Sequence, residues 1–174
     1  ASAERNGIVM IHQELNLMDD LTIAQNIFIN KEPSKGLFID DNKMIEDARL
    51  LLDRVGLKID PATPVKDLSI GKKQMVEIAK ALSKKSRMII FDEPTAALSN
   101  REAEELFAII DNLRSEGISV IYISHRIYEI LKIADKVSVL KDGSFVGTYD
   151  ASQMDEPKLI QLMVGKQIKK ENKL

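Results

Sequence analysis

The stretch Arg87-Met88-Ile89-Ile90-Phe91-Asp92-Glu93-Pro94 constrains the fold of this chain more than any other. Apolar residues in unbroken succession, stopped by two carboxylates and a proline, predict a short strand buried on both faces whose polar residues begin where it leaves the sheet. Open α/β sheets keep their chemistry at such strand ends. An aspartate there can hold Mg²⁺ against nucleotide phosphates, and an adjacent glutamate can orient or deprotonate an attacking water. Taken alone, the stretch equally describes a buried strand followed by a capped turn. Its neighbours have to decide.

On the N-terminal side, Gly7 to Ile11 is an apolar strand candidate that ends at His12-Gln13-Glu14, so polar residues again follow a strand end. Leu15 to Asn30 fits a loop and a short helix entered through Asp20 or Thr22. A loop with Pro33, Ser34 and Gly36 follows, and Asp41 is the expected cap of a periodic helix carrying Met44, Ala48, Leu51, Leu52 and Val55, with Gly56 just past its end. This is a helical lobe inserted between sheet elements. Next, Leu68-Ser69-Ile70-Gly71-Lys72-Lys73-Gln74 leads into a helix through Met75, Val76, Ile78, Ala79 and Leu82. Ser69 is a candidate N-cap, and Gly71 permits close approach to backbone where free N–H groups and the helix dipole point outward. Such a helix start can bind phosphate, although a plain capped helix has the same pattern.

Beyond the central stretch, Ser99 and Glu102 form a Ser-x-x-Glu capping box opening a helix with Ala103, Leu106, Phe107, Ile110 and Leu113 on one stripe, stopped by Gly117. Ile118 to Ile123 reads as a second buried strand, ending in Ser124-His125. A strand–helix–strand unit of this kind is parallel with a right-handed crossover, which puts the ends leading to Glu93 and His125 on one edge of the sheet. A short helix through Ile127, Ile130 and Leu131 follows. The Asp142-Gly143 turn then predicts a hairpin, and Asp155 or Glu156 with Pro157 starts a last helix that Gly165 ends. Residues 166–174 form a charged tail.

Bulk composition argues mainly by exclusion. With 25 basic and 27 acidic residues the net charge is −2, so nothing favours nucleic acid through bulk electrostatics. The absence of cysteine excludes disulfides and thiolate metal sites. No apolar run approaches the roughly 18 residues needed to span a bilayer.

Together these pieces resemble the ATPase domains of ABC transporters. Gln13 after a strand, Leu68-Ser69-x-Gly71-x-x-Gln74 before a helix, Met88 to Glu93 with Pro94-Thr95, the Ala97-Leu98-Ser99 turn and Ser124-His125 stand in that family's order. Ile11 to Leu17, Leu21 to Phe28 and Gln74 to Leu82 further resemble the ATPases of ribose- and galactose-type importers, in which two such domains are fused. The resemblance implies a P-loop NTPase-like α/β fold, with a mostly parallel sheet, a hairpin and an inserted helical lobe. It divides the chain into a strand and Q-loop at 1–14, the lobe at 15–68, and at 69–165 the signature helix, Walker B, D-loop, H-loop and the rest of the core.

Roles follow residue by residue. The resemblance implies that Asp92 supports Mg²⁺, that Gln13 reaches both Mg²⁺ and the attacking water while its loop senses the permease, that Glu93 polarises that water, and that His125 contacts the γ-phosphate. A helix-capping role for His125 stays open beside that. Ser69, Gly71 and, more loosely, Gln74 match the signature motif, which binds ATP held by an opposing domain, and Ala97, Leu98 and Ser99 match the D-loop. The implied cofactors are ATP and Mg²⁺. The implied partners are a second ATPase domain packed head to tail, permease subunits and, indirectly, a sugar-binding protein, with no nucleic acid. The implied location is the cytoplasmic face of the cell membrane, reached through the permease.

One departure stands out. The phosphate-cradling pattern Gly-x-x-x-x-Gly-Lys-Ser/Thr is absent from the sequence: Lys66 stands where the glycine upstream of Gly71-Lys72 would be, and Ile160 stands upstream of Gly165-Lys166. In the family that loop precedes the point matching Ala1. The expectation is therefore an ATPase domain incomplete at its N-terminus and inactive by itself. Two other readings remain: an ABC ATPase outside transport, and a non-catalytic scaffold or regulatory fragment.

Overall fold

A computed structural model describes residues 2–84 and 86–164. The chain divides into two compact units, Ala1–Ile123 and Ser124–Leu174.

In the first unit, helix α1 (Ser2–Arg5) leads into strand β1 (Ile8–Ile11), followed by α2 (Ile23–Phe28), β2 (Ser34–Lys35), β3 (Phe38–Ile39), α3 (Asp41–Arg54), α4 (Ile70–Ser83), β4 (Met88–Asp92), α5 (Asn100–Ser115) and β5 (Ser119–Ile123). The sheet is parallel in the order β1-β4-β5, with Ile11 opposite Phe91 and Asp92 opposite Ile123. The stretch that opened the sequence argument is thus the central strand.

That strand is not equally buried on its two faces. Ile89 and Phe91 are fully buried and Val9 and Ile11 beside them are buried, whereas the alternate residues Met10 (40% exposed), Ile121 and Ile123 (both 44%) face outward. Topology explains the difference. The connections β1 to β4 and β4 to β5 step across the sheet in the same direction, and right-handed crossovers then put α4 and α5 on the same face. On that face Tyr122 of β5 packs its ring 6.3 Å from Phe91 and 6.4 Å from Phe107 of α5. The expectation of strands buried on both sides is corrected for β4 and β5 alike.

Between β1 and β4 the helices α2, α3 and α4 form, with local differences from the sequence expectation. Thr22, not Asp20, opens α2 through a capping box with Gln25. Asp40, not Asp41, caps α3 by accepting the Lys43 N–H at 3.0 Å. The segment around Pro33, Ser34 and Gly36 carries a short antiparallel ladder, β2 against β3. Helix α4 packs against both α2 and α3.

The second unit holds α6 (Ile127–Ile133), β6 (Lys136–Lys141), β7 (Ser144–Asp150) and α7 (Glu156–Val164). Asp142 and Gly143, with φ of 48° and 75°, form the tight turn of the β6–β7 hairpin. Val137, Val139, Ala151, Met154 and Leu159 make its core. The predicted stop at Gly165 and the tail at 166–174 lie outside the described residues.

Candidate functional site

Gln13 and the Asp92-Glu93 pair stand at the ends of neighbouring parallel strands, since Ile11 and Phe91 are register partners. Asp92 is the last residue of β4 and is half-buried. Glu93 has a φ of +46°, the left-handed region that side chains other than glycine rarely enter. A residue before proline also ordinarily adopts an extended conformation. Hydrogen bonds hold this turn: Glu93 N–H donates to the Ile123 carbonyl at 2.9 Å, Ala96 N–H to the Glu93 carbonyl at 3.2 Å, and Leu98 N–H to the Thr95 carbonyl at 3.1 Å. Thr95 beside them is 2% exposed. Backbone held in a sparsely populated region is concentrated at functional sites. No sequence signal marks this conformation, because it depends on β5 supplying the acceptor.

Gln13 is exposed, and the chain after it is tied down from Asn16 onward. Asn16 N–H donates to Glu77 Oε1 at 2.9 Å, and Lys80 Nζ donates to the Asn16 carbonyl at 2.7 Å, so one peptide segment is gripped from both ends by α4. Two residues on, the buried Asn26 side chain accepts the Met18 N–H at 2.7 Å and donates to the Met18 carbonyl at 3.0 Å. Lys73 Nζ reaches Asp19 Oδ1 at 2.6 Å. Sequence reasoning missed Glu77, Lys80 and Asn26, whose spacing is that of any helix.

At the start of α4, Ser69 is the N-cap and accepts the Lys72 N–H at 3.4 Å. Ser69 is exposed and Gly71 buried. What approaches the Gly71 backbone is a side chain of this chain: a β-carbon added there would lie 2.0 Å from Glu102 Oε1. The same carboxylate accepts from Ser99 Oγ at 2.7 Å and Ser99 N–H at 2.9 Å, and these bonds hold the Glu102 carboxyl below the usual carboxylate range. Glu102 therefore joins Ser69-Gly71 to Ser99, two groups the sequence offered separately. Ser69, Gly71, Met75, Glu102 and Ile109 line part of a cavity of about 430 Å³. Gln74, one turn further in, is 4% exposed, and its Nε2 has no hydrogen-bond partner among the described residues. Ala97 is exposed and Leu98 half-buried.

In the second unit His125 is exposed. Ser124 Oγ donates to Glu129 Oε2 at 2.9 Å and accepts the Arg126 N–H at 3.0 Å, while Arg126 Nη1 donates to Glu129 Oε1 at 3.3 Å.

A sequence profile of the ABC transporter family matches residues 1–96. The chain belongs to the ABC transporter family. Among ABC relatives, a Burkholderia cenocepacia protein named for ribose/galactose/methyl galactoside import and ATP binding is 49% identical over 99% of this chain and 34% of its own length. The ribose import ATP-binding protein RbsA of Geobacillus kaustophilus is 47% identical over 95% of this chain and 34% of its own. The chain thus spans about a third of the length of the curated relatives it matches. The crystal structure of an ABC transporter's ATP-binding cassette in its ADP conformation superimposes with a TM-score of 0.77 at 23% identity, over 95% of this chain and 71% of that one. A dimeric ATP-binding cassette bound to ADP and Pi gives 0.68 at 26%, over 83% and 62%. The ABC cassette fold, α/β with a parallel sheet and helices, is therefore the fold of this chain.

The donor set suits the divalent ion an ABC ATPase is expected to use. Among the described residues no three His, Cys, Asp or Glu side chains gather into a metal cage. Asp92 and Gln13 offer hard oxygen donors only, which suits Mg²⁺, an ion that keeps waters and phosphate oxygens and needs one or two protein ligands. Among the described residues no helix is long and apolar enough to cross a membrane.

Proposed function

We propose that this chain belongs to the ATP-binding subunit of an ABC sugar importer, which powers transport by binding and hydrolysing ATP. The observation that carries the reading is that Gln13, Asp92 and Glu93 stand at the ends of neighbouring parallel strands, with Glu93 in a strained backbone conformation within a family-matching segment. The import names of the relatives supply the sugar class.

In this reading Asp92 and Gln13 hold Mg²⁺, which when bound neutralises phosphate charge. Glu93 orients the attacking water and accepts its proton, and the fixed turn limits where its carboxylate can travel. His125 donates a hydrogen bond to the γ-phosphate. Ser69, Gly71 and, more loosely, Gln74 at the start of α4 bind ATP held by a second ATPase domain, with Ala97, Leu98 and Ser99 beside that interface. Each nucleotide then touches two domains, and its hydrolysis removes the bridge. Residues 15–68 act as the lobe that meets the permease, between the core segments 1–14 and 69–165. The complex works on the cytoplasmic face of a membrane, fed by a sugar-binding protein. By itself the 174-residue chain turns over ATP negligibly, since no segment of it carries the phosphate-cradling loop.

The test is Glu93→Gln in the full-length subunit. Turnover should fall by roughly 10²- to 10⁴-fold, with ATP affinity retained. Unchanged turnover would remove Glu93 from the chemistry and the proposed mechanism with it.

A further inference from the structure

Glu129 is a carboxylate that the proposed chemistry does not use, and it is 2% exposed. Burying a carboxylate is costly unless it is paired and hydrogen-bonded, so its partners indicate what it holds. They include Ser124 and Arg126, the residues on either side of His125. Ser124 Oγ donates to Glu129 Oε2 at 2.9 Å, and the Arg126 guanidinium reaches Glu129 Oε1 at 3.3 Å. The ring closes because Ser124 Oγ also accepts the Arg126 backbone N–H at 3.0 Å, and Glu129 N–H donates to the Arg126 carbonyl at 3.0 Å. Arg126 is the N-cap of α6 yet makes no side-chain cap bond; Ser124 and Glu129 organise this helix start instead. The result is an exposed histidine on a backbone fixed from both sides by a buried acid.

We propose that Glu129 is a positioning residue for His125, acting through Ser124 and Arg126 to hold the backbone from which the imidazole is presented. The inference rests on reading His125 as the phosphate-contacting residue. It adds that the geometry of that contact is set from inside the second unit. An ordinary stabilising network at a helix start would cost stability when cut but would act independently of His125.

The experiment uses the full-length subunit with Ser124→Ala, Ser124→Thr, Glu129→Gln, His125→Ala and the double variant Ser124→Ala/His125→Ala. Ser124→Ala is the decisive change, because it cuts the ring while leaving the carboxylate and the core intact. Hydrogen exchange in the peptide covering 124–130 should rise about tenfold in Ser124→Ala and Glu129→Gln, and return toward wild type in Ser124→Thr, which keeps the hydroxyl. In parallel, kcat should fall about tenfold in Ser124→Ala with KM for ATP nearly unchanged, and the double variant should be no slower than His125→Ala. Losses that add in the double variant, or faster exchange with kcat unchanged while His125→Ala is impaired, would overturn the positioning role. Full activity in His125→Ala would instead overturn the reading of His125, and the exchange data would show separately whether the ring exists.

Discussion

Helices α4 and α5 begin almost identically and are compensated in different ways. Ser69 and Ser99 both serve as N-caps, with φ, ψ of −64°, 159° and −67°, 161°, and each accepts the N–H three residues on at 3.4 Å. Yet α5 carries its own acid in the first turn, Glu102, whereas α4 has none. The anionic partner of the α4 start is the same Glu102, which reaches it from the neighbouring helix across the space left by Gly71. One helix start is complete in its own sequence. The other has beside it an acid supplied by the neighbouring helix, where the helix dipole favours negative charge.

The largest expected effect tests that shared carboxylate. Gly71→Ala would put a methyl group where Glu102 sits, pushing the carboxylate off Ser99, and should cost about 1–2 kcal/mol by urea denaturation. Combined with Ser99→Ala it should cost little more than either change alone. Additive losses would mean that the two helix starts are independent. Next, Ser99→Ala should cost about 1 kcal/mol, because it removes both halves of the capping box, while Ser69→Ala should cost about half that. Equal losses would erase the contrast. In the full-length subunit the order should reverse for ATP affinity, with Ser69→Ala the more damaging.

The smallest effect concerns pH. Glu102 has its folded-state pKa lowered by Ser99. The stability it contributes is therefore complete above the ordinary carboxylate pKa of about 4.3, and is lost as pH falls through the depressed folded value. Thermal midpoints between about pH 3 and 6 should show that acid loss in wild type and Ser69→Ala, and less of it in Ser99→Ala and Glu102→Gln. A slope untouched by Ser99→Ala would remove the linkage.

The caps were legible because they are local: Ser69, Ser99 with Glu102, and Gly56 after α3 each declare themselves within a few residues. The choice between Asp40 and Asp41 was not, since adjacent acids fit the same pattern. The two-residue strands at Ser34–Lys35 and Phe38–Ile39 are too short to show a period. Runs of apolar residues in β4 and β5 name a strand but not how many of its faces are covered, because cover depends on the direction in which crossovers step. The same divide runs through the site. Asp92 and Glu93 stand out where polarity breaks an apolar run, whereas the φ of Glu93 and the reach of Glu102 to Gly71 exist only once distant segments meet; the ring beside His125 is local to residues 124–129, but Ser, Arg and Glu at that spacing are ordinary at a helix start.

The grip of α4 on Asn16 has a mechanical consequence. Asn16, Met18 and Asp19 are fastened to α4 or α2. A slide of α4 along its axis would therefore pull on Asn16 and Asp19, with Met18 held by α2 between them, and residues 12–15 lie between that tow point and the end of β1. Gln13 lies within that span. A pull arriving at the lobe would thus be delivered to the edge of the sheet as a change in tension on one glutamine.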